Sequence, residues 1–118
     1  MGLDTTFGCF NGPYSTFARF RKSLCLQIDI DINELKEYGG NKGFAKDLDH
    51  DIMPLINHSD CDGRLTIKEC KRIVKGLTSI KENFDNSKGR DFDFIEMIDK
   101  FIDGCNDAIK KRKMVHFG

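Results

Sequence analysis

The chain has no tryptophan, only two prolines and three histidines, and no net charge: nineteen Lys and Arg balance nineteen Asp and Glu over 118 residues. The charge balance removes the field that would draw nucleic acid or an anionic membrane surface. No apolar run approaches the ~18–20 residues needed to cross a bilayer. The length suits one small domain (1–118) and excludes a two-domain enzyme. Cys9, Cys25, Cys61, Cys70 and Cys105 form no C-x-x-C pair, so zinc-type spacing is missing. Their odd number, and the polar stretch after Met1, lead us to expect reduced thiols in a cytosolic protein. There is no G-x-S-x-G, no P-loop, no internal repeat and no low-complexity tract. His50-Asp51 resembles the centre of an HD phosphohydrolase, but no histidine precedes it.

What the chain does have is bulky core material: ten Phe and two Tyr, with 39% hydrophobic and 32% charged residues. This is the composition of a folded globular protein. Asn11-Gly12-Pro13 is a turn into a helix, and Tyr14, Phe17, Phe20 and Leu24 mark one apolar face over residues 13–26. Asp31-Ile32-Asn33-Glu34 reads as a capping box opening a short helix that ends at Tyr38-Gly39-Gly40. A third helical piece is expected over 45–57, interrupted or restarted by Pro54. Thr66-Ile67-Lys68-Glu69 is a second capping box, followed at helical period by Cys70, Ile73, Val74, Leu77, Ile80 and Phe84. Phe92, Ile95, Ile98, Phe101, Ile102, Cys105 and Ile109 form another stripe. Its last turn, Lys110 to Lys113, complements the negative end of the helix dipole. Residues 114–117 suit a short strand. The expected fold is mainly α, with four or five helices, an EF-hand-like helix-loop-helix and at most a short β-ribbon. Helices 66–84 and 91–111 should pack together and bury Ile73, Leu77, Ile80, Ile95, Ile98, Phe101 and Ile102.

The most informative segment is His58-Ser59-Asp60-Cys61-Asp62-Gly63-Arg64-Leu65-Thr66-Ile67-Lys68-Glu69. A calcium loop needs oxygen ligands at positions 1, 3 and 5, Gly at 6, a backbone carbonyl at 7 and Glu at 12. Asp60 and Asp62 fill 3 and 5, Gly63 fills 6, Arg64 offers its carbonyl, Leu65 is apolar at 8, and Glu69 fills 12. His58 departs from the pattern at position 1. An imidazole is a poor ligand for calcium, and His58, Asp60, Asp62 and Glu69 would better suit manganese or zinc. The alternative is a turn that merely joins two helices, with Thr66 and Glu69 as a metal-free cap. EF-hands pair through position 8, so Leu65 requires a partner: the Val115 strand, or a second copy of the chain in a homo-oligomer.

Several segments together resemble an uncharacterised family of small phage and bacterial proteins. They are Met1-Gly2-Leu3-Asp4-Thr5, Gly12 through Arg21, His58 through Gly63, Phe101-Ile102-Asp103-Gly104-Cys105 and Val115-His116-Phe117. Family members tend to carry Trp where Phe10 and Phe20 stand, and residues 29–56 match poorly. The resemblance implies a phage-type origin, a place in the host cytosol, and His58 as the family's usual residue. The N-terminal six residues also fit a myristoylation pattern formally, with Asp4 as an acidic departure.

Two functional readings follow. The first is a non-enzymatic binder of a small anionic, nucleotide-like ligand that sequesters a host defence signal, by analogy with small phage accessory proteins. Its candidate residues are Tyr14, Arg19 and Arg21, where aromatic faces and cations could sandwich a base, with Asn41 and Lys42 in the glycine-rich loop facing phosphate. The bland alternative places Tyr14, Phe17 and Phe20 in the core. The second reading is a divalent-cation module on the 58–69 loop, taking calcium, manganese or zinc. A metal-dependent hydrolase is a weaker third, and nucleic acid and membrane partners are not expected.

Overall fold

The computed structural model describes residues 2–41, 43, 50–59, 62–85, 88 and 94–118. In chain order it contains strands β1 (Gly2–Asp4) and β2 (Asn11–Pro13), and helices α1 (Tyr14–Gln27) and α2 (Met53–Ile56). Strand β3 (Arg64–Leu65), helices α3 (Ile67–Glu82) and α4 (Phe94–Lys111), and strand β4 (Val115–His116) complete it. Single 3-10 turns lie at Thr6–Gly8, Ile32–Glu34 and Lys36–Tyr38. The fold is mainly helical, as the periodicity indicated. No described helix is long and apolar enough to cross a membrane.

Helices α3 and α4 form the frame. Cys70, Ile73, Leu77 and Ile80 recur at three- and four-residue spacing and are buried, as are Phe94, Ile98, Phe101, Cys105 and Ala108. That spacing makes one stripe per helix, and each stripe hides the other from water. Full burial of such a side chain contributes ~1.5–3 kcal/mol. Ile95 and Ile102 sit at the edge of the stripe and are only partly buried. The capping box at the start of α3 is complete: the Glu69 amide donates to Thr66 Oγ1 at 3.1 Å, and the Thr66 amide donates to Glu69 Oε1 at 3.0 Å.

Helix α1 lies against this frame through two aromatic chains. Phe20 meets Phe94 and Phe101 at ring separations of 6.0 and 6.2 Å. Phe17 meets Phe10 at 5.0 Å and Phe117 at 6.0 Å. At its far end, the Gln27 amide donates to the Asp85 carbonyl and accepts from the Asp85 amide, which ties α1 to the end of α3.

The β-structure is two short antiparallel ribbons. β1 pairs with β2, with Leu3 opposite Gly12. β3 pairs with β4, with Leu65 opposite Val115. A bridge between Thr5 and Phe117 joins the two ribbons. The position-8 residue of the EF-hand-like loop therefore finds its partner in the chain's own last strand. The 31–38 region differs from expectation: it forms two 3-10 turns, and Asp31 caps the amide of Asn33 at 3.0 Å. Of the expected 45–57 helix, residues 44–49 lie outside the described residues, and Met53–Ile56 forms one turn with Pro54 in its first turn.

Close approach of backbone explains one glycine. A β-carbon on Gly104 would stand 2.5 Å from Cys9 Sγ and 2.8 Å from the Phe7 carbonyl oxygen. The turn Thr6–Gly8 can lie on α4 only because this position lacks a side chain. Gly104→Ala should therefore destabilise the fold by about 1–3 kcal/mol, read as a lower urea midpoint with unchanged slope.

The buried thiols give a pH dependence. Burial pushes the Cys25 thiol from 9.0 up to about 12; Arg21 opposes the rise and Asp31 adds to it. Cys105 is also raised, by hydrogen bonds with Cys70 and Cys9 and by burial. A group whose folded value lies above its unfolded value contributes stability that is whole below the unfolded value. That stability is lost as pH rises through the folded one. Native stability should thus fall between about pH 9 and pH 12. Urea unfolding at about pH 7 and pH 10 should show a smaller alkaline loss for Cys25→Ala than for the unaltered protein.

Candidate functional site

The expected anion-binding residues of α1 point in different directions. Arg21 follows Phe17 by four residues and precedes Leu24 by three, so it shares their inward face. It is only 4% exposed. Its Nη1 donates to the carbonyl of His58 at 2.5 Å, of Ile56 at 3.3 Å and of Leu55 at 3.5 Å. Its guanidinium lies 4.5 Å from the Phe17 ring centre and 5.7 Å from that of Tyr38. The Tyr38 hydroxyl donates to the Ile56 carbonyl at 2.7 Å. Arg21 thus gathers the carbonyls that leave α2, a use that suits its fan of donors.

Arg19 faces outward, with Nη2 donating to Thr16 Oγ1 at 3.5 Å. With Ala18, Lys22, Ile32, Asn33 and Tyr38 it lines a cavity of about 180 Å³. Tyr14 is half-buried against the core, and Asn41 is exposed. Neither joins the cavity at Arg19. Lys42 lies outside the described residues.

In the 58–69 loop, the structure brings His58 to Arg64. His58 Nδ1 is 2.7 Å from the Ser59 carbonyl oxygen, and Nε2 is 3.0 Å from the Arg64 carbonyl oxygen. The ring packs on Phe117 with centres 4.1 Å apart. Glu69 turns to the Thr66 amide, and Asp62 is exposed. Asp60 lies outside the described residues. Among the described residues, no three or more His, Cys, Asp or Glu side chains form a group that could hold a metal ion.

The His50-Asp51 pair has structural partners. The Ile52 amide donates to His50 Nδ1 at 3.2 Å, and Arg72 donates to Asp51 Oδ1 at 3.4 Å and to the His50 carbonyl at 2.9 Å.

One concavity was not expected from the sequence. A groove of about 880 Å³ is lined by Thr6, Phe7, Thr66, Ile67, Lys68, Arg112, Lys113, Met114 and His116. Its apolar members are Phe7, Ile67 and Met114, each half-buried. Lys68, Arg112 and Lys113 are exposed, and among the described residues no acidic side chain lines the groove. Lys111 stands at the edge, with Nζ 5.6 Å from the centre of the Phe7 ring. Phe7 and Arg112 both take positive φ, 61° and 54°, which sharply turns the chain at both groove walls. The basic run 110–113 was the available signal. What it could not disclose is that Thr6 and Phe7 fold over to face it.

No family model matches the sequence, and no curated protein or solved structure matches it.

The role of Arg21 can be checked by substitution. Arg21→Met removes the donor that Nη1 gives to the His58 carbonyl and one of the donors to those of Leu55 and Ile56, and should lower stability by about 1–3 kcal/mol. Arg21→Lys should restore only part of it, since an ammonium cannot span the same fan of acceptors. Urea unfolding of both variants is the measurement.

Proposed function

We propose that the protein is a non-enzymatic binder of a small organic anion, and that the groove between the Thr6–Gly8 turn, the start of α3 and the β4 segment is its binding site. The observation that carries this reading is the groove's composition: an apolar floor of Phe7, Ile67 and Met114 under a rim of Lys68, Arg112 and Lys113. Its volume of about 880 Å³ lies in the range of small-molecule sites. A ligand with a flat apolar body and an anionic group, as a nucleotide has, satisfies both parts. Its body displaces water from the floor, and its charge meets cations that have no acidic neighbour among the described lining residues. Phe7 offers a ring face for stacking, already attended by Lys111. Together with the resemblance to small phage and bacterial proteins, this supports an accessory protein that sequesters a nucleotide-like signal in a host.

The test is a thermal-shift and calorimetry panel of mono-, di- and cyclic nucleotides, with anilinonaphthalene sulfonate as a generic aromatic anion. We expect stabilisation by at least one panel member and weakening with salt. Each of Arg112→Glu and Lys113→Glu should reduce affinity by about tenfold, close to 1.4 kcal/mol per reversed contact. The fold should remain intact, because both side chains are exposed. No stabilisation by any member at millimolar concentration would contradict the proposal.

A further inference from the structure

We propose that the His58 imidazole takes the place of the cation in the 58–69 loop, closing by hydrogen bonds a turn that a calcium loop closes with metal. In a calcium loop, the position-1 carboxylate and the position-7 carbonyl are both acceptors, and they can converge only because a cation lies between them. Here position 1 is His58 and position 7 is Arg64. The two meet directly, with Nε2 3.0 Å from the Arg64 carbonyl oxygen. A nitrogen that carries hydrogen donates to that oxygen, so one side chain replaces an acceptor and the ion it would need.

The surroundings are built around the ring. Nδ1 faces the Ser59 carbonyl at 2.7 Å, so each ring nitrogen lies against a carbonyl oxygen of the loop. A β-carbon on Gly63, whose φ is +88°, would lie 3.3 Å from His58 Cε1, so the turn leaves room for the imidazole. Phe117 covers the ring at 4.1 Å, and its amide donates to the Gly63 carbonyl at 2.9 Å. The backbone of His58 is itself fixed by Arg21. The ring is therefore held by the loop, the C-terminal segment and α1 together. Across the loop, Glu69 is free of any need to close on an ion, and instead completes the α3 capping box.

This account makes an unusual demand of one substitution. H58D gives the loop side-chain oxygens at positions 1, 3, 5 and 12 and keeps Gly at 6, which is the sequence of a calcium loop. It also sets a carboxylate against the Arg64 carbonyl. With chelator present, H58D and H58A should melt about 5 °C or more below the unaltered protein. Millimolar calcium should return H58D to at least the parent's melting temperature and leave H58A and the unaltered protein unmoved. An H58D chain that is unfolded in chelator and folds on adding calcium counts as the same result. Calcium that stabilises the unaltered protein as much as H58D would overturn the proposal. So would an H58D variant that matches the parent in chelator, or one that calcium fails to rescue. In the unaltered protein, nitrogen-15 spectra should show a slowly exchanging His58 ring N–H. A ring exchanging as fast as that of an exposed histidine would also overturn it.

Discussion

A buried arginine sets the order of the rest. Placing a guanidinium inside a small core is unfavourable unless its donors are met. Arg21 Nη1 donates to the carbonyls of Leu55, Ile56 and His58, at and just beyond the end of the short helix α2. The Ile56 carbonyl also accepts from the Tyr38 hydroxyl and the Leu55 carbonyl from the His58 amide, so the guanidinium adds to a helix end that is already partly capped. Phe17 and Tyr38 shield the contact from water and, through their ring faces, add to it. The position at which the chain leaves α2 is fixed by α1, and so is the position of His58.

From that point the constraint passes along contacts already described. His58 rests on Phe117, and Phe117 rests on Phe17. Phe117 is also bridged to Thr5, so the first and last strands are held together. The His116 amide donates to Thr6 Oγ1 at 2.9 Å, and beside this bond the Thr6–Gly8 turn meets α4 at Gly104. The groove lies where these pieces converge. Its walls come from both chain ends and the start of α3, so its shape depends on the ribbon pairing and not on any single helix. Its charge comes from the last turn of α4, where basic residues already suit the helix dipole.

Much of this frame is local in origin and therefore legible in the sequence. The α3 capping box needs only four residues, Thr66 to Glu69, and it forms. The stripes of α3 and α4 repeat over four turns or more, long enough for periodicity to speak. The rule that a position-8 residue needs a strand partner leaves Leu65 the Val115 strand or a second copy of the chain, and the structure pairs it with Val115. Other features depend on contacts distant in sequence. Gly2-Leu3-Asp4 is too short to show strand alternation, and it becomes a strand only because Asn11–Pro13 folds back on it. Arg21 looked like one cation among several, although its spacing from Phe17 and Leu24 placed it on the buried face. Tyr14, Arg19 and Arg21 set aromatics beside cations in the sequence, yet Arg21 is buried and Arg19 is exposed. On a helix, residues five and two apart lie on different faces.

The most direct test of this account is nitrogen-15 spectroscopy of the Arg21 side chain. A guanidinium held on three carbonyls between two rings should give slowly exchanging Nη protons and hindered rotation about its terminal bonds. Its resolved resonances should show through-space contacts to residues 55–58. A single averaged resonance in rapid exchange with water would contradict the claim that this cation organises the fold.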